Sequence, residues 1–87
     1  MNQIIKDMYD EEFKYFSQEG LIKLGDEEFL RHLGYLLAHA DPNNSKKIIS
    51  TFYKYCKEYH DKILKYYEEN RQNELEYYKK EKEKIDD

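Results

Sequence analysis

Cys56 and His60 stand four residues apart in a stretch of helical character, which makes their side chains neighbours on one helix face. A thiol beside an imidazole is the arrangement of an activated nucleophile, or half of a tetrahedral metal site. The same cysteine also falls in an apolar stripe at helical spacing, where cysteine behaves as a small buried hydrophobe. The second reading is the expected one: Cys56 packs in a core and His60 flanks it. His32 and His39 lie two helical turns apart, about 10 Å along an axis, too far to share one metal unaided. Glu28 precedes His32 by four residues, and a helical ion pair or a capping role accounts for that spacing better than ligation. The chain has no glycine-rich phosphate loop and no Ser-His-Asp arrangement. The expectation is a protein that is not an enzyme and that takes no metal and no cofactor.

Two other groups of residues carry chemistry for binding. Lys46, Lys47, Lys54, Lys57, Lys62 and Lys65 are interleaved with Tyr53, Tyr55 and Tyr59, the footprint of a nucleic-acid surface. Against that reading, the net charge is −4 and arginine, the usual base reader, occurs only as Arg31 and Arg71. Lys47, Lys54, Glu58, Asp61 and Lys65 also share one helix face, as on an ordinary solvated surface. The second group is acidic. Asp7, Asp10, Glu11, Glu12, Glu19, Asp26, Glu27 and Glu28 outnumber Lys6, Lys14, Lys23 and Arg31 in the first half of the chain. They suit a basic protein partner or a mimic of nucleic acid, and equally solubility and helix-start electrostatics.

The elements that must position these residues read as three helices. The first covers residues 2–18, with Ile5, Met8, Tyr9, Phe13 and Phe16 on one side. Gly20 is its expected stop, followed by an extended link or short turn carrying Leu21, Ile22 and Leu24. Asp26 is the expected N-cap of the second helix, with Glu27 and Glu28 at the positive end of its dipole. Phe29, Leu30, Leu33, Leu36, Leu37 and Ala40 form its apolar face, and Gly34 implies close approach of another helix. Asp41 followed by Pro42 suits the start of a third helix, with Asn44 or Ser45 as alternative caps. From residue 43 to 87 there is neither Gly nor Pro. Ile49, Phe52, Cys56, Tyr59, Ile63 and Tyr66 mark its buried stripe, after which the same face carries Asn70, Asn73 and Glu74.

A helix over residues 43–87 is about 60 Å long, whereas the first two helices reach only about 25 Å. The core is therefore expected in residues 3–67. The expected fold is all-α: a small three-helix domain with two short helices packed on a long C-terminal helix whose end projects. Residues 1–70 form the domain and 71–87 a charged helical extension, frayed or ordered. On that extension Leu75, Tyr77 and Tyr78 beside Arg71 make a strip beyond the reach of the first two helices, a candidate partner anchor.

Composition bounds the rest. The 87 residues allow one small domain. Ten Tyr and four Phe without Trp give a core whose boundary is amphipathic. The lone Cys56 excludes an internal disulfide and fits a reducing compartment. The run MNQIIKDMYDEE has acids where a signal peptide has its apolar core, and no apolar run is long enough for a membrane span, so a cytoplasmic location is expected. Abundant Lys, Asn, Ile and Tyr with little Arg or Ala follow AT-rich codons, as in low-GC bacteria and their phages. The leading functional expectation is a small intracellular protein-binding module, an inhibitor or modulator of another protein, from such a bacterium or its mobile elements. Its candidate contacts are Glu11, Glu12, Glu27, Glu28, Arg71, Leu75, Tyr77 and Tyr78. The alternatives are a structural homodimer formed through the long helix and a nucleic-acid-binding regulator.

Overall fold

The structure is a computed structural model that describes the backbone of residues 2–85 and the side chains of residues 2–71. The described residues form five α-helices and no strand: α1 (Gln3–Met8), α2 (Glu11–Leu24), α3 (Glu28–His39), α4 (Pro42–Thr51) and α5 (Tyr53–Ile85). The all-helical class is as expected, but five helices stand where three were read.

The first expected helix is two. Asp10 is an N-cap whose carboxylate accepts from the N–H groups of Glu12 and Phe13 at 2.9 and 3.4 Å. It starts α2 with Glu11 and Glu12 in the first turn, where the helix dipole favours acids. Gly20 does not end this helix. It lies inside α2, and Leu21, Ile22 and Leu24 are helical rather than extended. At the next boundary the cap position is Glu27, which makes no side-chain capping bond. Asp26 instead accepts from Tyr59 Oη at 3.4 Å.

The long third helix is also two. Asp41 caps α4, accepting from Asn44 N–H at 2.7 Å, with Pro42 at the first helical position. The chain then breaks for one residue at Phe52. The run Ile48-Ile49-Ser50-Thr51 is β-branched or hydroxylated, hence weak in helix propensity. Ser50 Oγ bonds the Lys47 carbonyl oxygen at 3.0 Å, which competes locally with the helix ladder.

α2 lies at the centre, packed on both α3 and α5. α2 and α5 run in the same direction. Phe13 stacks on Tyr53 and His60 near one end, and Lys23 Nζ donates to Tyr67 Oη at 3.0 Å near the other. Their backbones meet at Gly20, where a Cβ would overlap the Tyr59 carbonyl oxygen. α3 returns antiparallel to α2. As expected, Gly34 marks a close approach: a Cβ there would lie 2.8 Å from Ile22 Cγ1 and 2.9 Å from Leu21 Cβ. α1 packs on α4, and the nearly buried Asp7 of α1 accepts from Tyr53 Oη at 2.6 Å and from Gln3 Nε2 at 2.9 Å. The core contains Phe13, Leu21, Leu30, Leu33, Leu37, Ile49, Cys56 and Tyr59, with Ile63 also buried. Beyond Ile63 the stripe passes to Tyr67 and not to Tyr66, which is exposed. Tyr67 Oη bonds the Glu19 carboxylate. α5, at 33 residues and about 50 Å, sets the long dimension of a body measuring 56 × 32 × 20 Å.

One buried polar group is out of balance. Ser17 is fully buried, and its Oγ has no hydrogen-bond partner among the described residues. Replacing a buried unsatisfied hydroxyl by hydrogen in a helix removes a desolvation cost and raises helix propensity. Ser17→Ala is expected to stabilise the protein by about 1 kcal/mol, measured as a higher urea midpoint at unchanged slope.

Candidate functional site

The residues singled out for catalysis are occupied in packing. Cys56 is fully buried on the core side of α5, and burial pushes its thiol up to about 12. His60 stacks on Phe13, with ring centroids 4.8 Å apart, and its Nδ1 lies 2.9 Å from Asp61 Oδ1. His32 and His39 are exposed on α3. No group of three or more potential metal ligands converges among the described residues, nor is any described helix long and apolar enough to cross a membrane.

Cys56 and the partly buried Tyr53 imply alkaline sensitivity. Burial and the bond to Asp7 push the Tyr53 phenol up to about 12 from its ordinary 10, as burial alone does for Cys56 from 9. A folded pKa above the unfolded one means that the fold favours the protonated form. The resulting stability is complete below pH 9 and is lost as pH climbs to about 12. Melting temperature is expected to fall continuously over that window, and Tyr53→Phe should flatten the part above pH 10.

Of the lysine-tyrosine footprint, Tyr53 and Tyr59 are turned inward, while Lys47, Lys54, Lys62 and Lys65 are exposed. Tyr53 Oη bonds Asp7 and Tyr59 Oη bonds Asp26, leaving Tyr55 as the exposed member. Lys57 pairs with Asp61 at 3.3 Å and Lys62 with Glu58 at 3.6 Å. Lys46 lies 4.2 Å over the Tyr9 ring.

The acidic candidates separate into two places. Glu11 and Glu12 begin α2, while Glu27 and Glu28 begin α3 at the far end of the antiparallel pair. The length of α2, about 20 Å, lies between them. Arg71 is exposed on α5. The side chains of Leu75, Tyr77 and Tyr78 lie outside the described residues, although the backbone of α5 is helical there.

Four helices converge at a place that no single segment of the chain signals. The α1–α2 corner, α3 and α4 enclose an open cleft of about 480 Å³ lined by Met8, Tyr9, Glu11, Lys14, Tyr15, Gln18, Ala38, Pro42, Ser45, Lys46 and Ile49, among others. Its mouth is flanked by Tyr9 and Tyr15, 67% and 50% exposed. Lys14 Nζ spans to the Ala40 carbonyl oxygen at 3.1 Å, and Ser45 Oγ reaches the same oxygen at 3.3 Å. Both bonds satisfy the C-terminal end of α3, where a cation is also favoured by the helix dipole. Of the acids named from sequence, Asp10 and Glu11 line this cleft. Tyr9 and Tyr15 were not anticipated as binding residues, whereas Lys46 belongs to the lysine-tyrosine footprint. Tyr9 was read as part of a buried face, but it caps the end of α1 and its ring turns to solvent. The Asp10-Glu11-Glu12 start signal was the clue to that corner.

A second apolar surface lies on α3, where Phe29, Tyr35 and Leu36 are about half exposed. Phe29 makes edge contacts with Phe52 and Tyr55, at 6.0 and 5.9 Å between centroids.

Comparison with models of protein families, with curated proteins and with solved structures finds no match.

Proposed function

We propose that this chain is a small protein-binding module that inhibits or modulates its partner, acting in the cytoplasm of a low-GC bacterium or from a phage or mobile element. The observation that carries this reading is the open cleft bounded by Tyr9 and Tyr15, with Glu11 at its lip. Tyrosine supplies large contact area at low entropic cost and is enriched among residues that dominate binding energy. Residues 1–70 serve as the helical domain and 71–87 as its charged extension. In support, Ile63 is the last residue of the α5 stripe among the described residues to be buried, and Tyr67 makes cross-helix bonds just beyond it.

The test uses a partner captured from the native host and its dissociation constant for three proteins. Tyr9→Ala with Tyr15→Ala is expected to weaken binding by about 30-fold or more, as loss of central interface aromatics does. Its melting temperature should change by only a few degrees, because both rings are at least half exposed. Glu27→Lys with Glu28→Lys, at the other end of the α2–α3 pair, should bind within about twofold of the parent. Equal affinity of the tyrosine variant and the parent would remove the cleft from the interface.

A further inference from the structure

We infer that Asp7 and Tyr53 are positioning residues for the cleft: the hydrogen bond between them pins α1 so that Met8 and Tyr9 form one of its walls. This deepens the protein-binding reading and rests on it, and it adds two residues that do not themselves line the cleft. By composition Asp7 belongs to the acidic first half of the chain, yet it is the buried residue of α1, 5% exposed. Tyr53 Oη donates to its Oδ2 at 2.6 Å, and Gln3 Nε2 donates to its Oδ1 at 2.9 Å. The Tyr53 ring is in turn stacked on Phe13 of α2, with centroids 5.8 Å apart. That stack fixes where the phenol points.

Little else holds α1 in place. A six-residue helix has almost no stability of its own. Gln3, Ile5 and Lys6 are exposed, and Ile4 and Met8 are only partly buried. Met8 packs at the edge of the core, and Lys46 lies 4.2 Å over the Tyr9 ring. Among the described residues, the bond from Tyr53 to Asp7 is the one side-chain hydrogen bond that ties α1 to another helix. A carboxylate left buried without its partner is costly. With the Tyr53 hydroxyl removed, the smallest rearrangement that relieves the cost is for α1 to lift and return Asp7 to water. Met8 and Tyr9 follow Asp7 directly in the chain and leave with it. The walls on α2, α3 and α4 stay in place. Affinity at the cleft then falls with the fraction of molecules in which α1 is docked.

The first arm of the test uses the free, isotopically labelled full chain and no partner. In the docked form the Tyr9 ring moves the ε-methylene protons of Lys46 upfield, because the lysine lies over its face. Tyr53→Phe keeps the stack on Phe13 and removes only the donor. It is expected to abolish most of the Lys46 shift and to lower backbone order parameters of residues 3–8 below about 0.6, with residues 11–24 as rigid as in the parent. Asp7→Asn can still accept from Tyr53 through its amide oxygen and should keep both signals. Ile63→Val trims a buried side chain about 15 Å farther along α5 and should keep both as well. Parent-like signals in Tyr53→Phe would overturn the inference. So would the same losses in Asp7→Asn or Ile63→Val, or loss of order in residues 11–24 together with α1. In the second arm, with the native partner, Tyr53→Phe is expected to weaken binding by about fivefold or more, and Ile63→Val by less than about twofold. Unchanged affinity of Tyr53→Phe beside a lost Lys46 shift would leave α1 pinned by this bond and remove the cleft from the interface, which is the separate failure of the protein-binding reading.

Discussion

Gly20→Ala is expected to be among the most damaging single changes in this protein. In an open helix the same substitution stabilises, because alanine exceeds glycine in helix propensity by about 1 kcal/mol. Here the added methyl group would overlap the backbone carbonyl of Tyr59, which cannot turn aside as a side-chain tip can. α2 and α5 must separate, and the packing of Leu21, Cys56 and Ile63 loosens with them. Overpacking of this kind costs about 1–3 kcal/mol and occasionally more. A net loss of about 2 kcal/mol, the upper end of that range less the propensity gain, corresponds to a melting temperature lower by roughly 8–16 °C for a domain of this size. Calorimetry on the purified variant measures it. A variant that melts at or above the parent would show that the two helices do not cross at this residue.

The adjacent leucines of α3 should differ by nearly the whole range of core substitution. Leu37 is 0% exposed and Leu36 is 57% exposed. Leu37→Ala removes buried methyl groups and leaves a cavity facing α2, at an expected cost of about 2–5 kcal/mol. Leu36→Ala is expected to change stability by no more than about 0.5 kcal/mol. Urea titration of both variants provides the comparison, and similar midpoints would mean that α3 is rotated from the orientation described.

Periodicity and capping chemistry made part of this architecture legible in the sequence. Leu30, Leu33 and Leu37 fall on one face, as do Ile49, Cys56 and Ile63, and these are core residues. Asp41-Pro42 identified a helix start, and Gly34 identified a close approach. The failures have physical causes. The breaks at Tyr9 and Phe52 contain neither Gly nor Pro, and an interruption of one or two residues hardly disturbs an apolar repeat. Gly20 was taken for a stop because glycine ends helices often, whereas its role depends on a helix that arrives some forty positions later. Both Tyr66 and Tyr67 lie three or four residues beyond Ile63, so spacing allows either. Glu19 and Lys23 on α2 select Tyr67 by hydrogen bonding. Glu11 alone among the candidate partner contacts lines the cleft, because the cleft arises from four helices converging and no segment alone encodes it. Its acid lip was readable as charge, but its aromatic walls were hidden by assigning Tyr9 to a continuous helix.

The central claim is that the partner occupies the cleft between the α1–α2 corner, α3 and α4. Amide hydrogen exchange on the free protein and on the complex with its native partner tests it most directly. The account predicts added protection in residues 8–18 and 42–49, with residues 26–36 unchanged. Protection confined to α5 beyond Tyr67, or to the outer face of α3 around Phe29 and Leu36, with residues 8–18 exchanging as in the free protein, would contradict it.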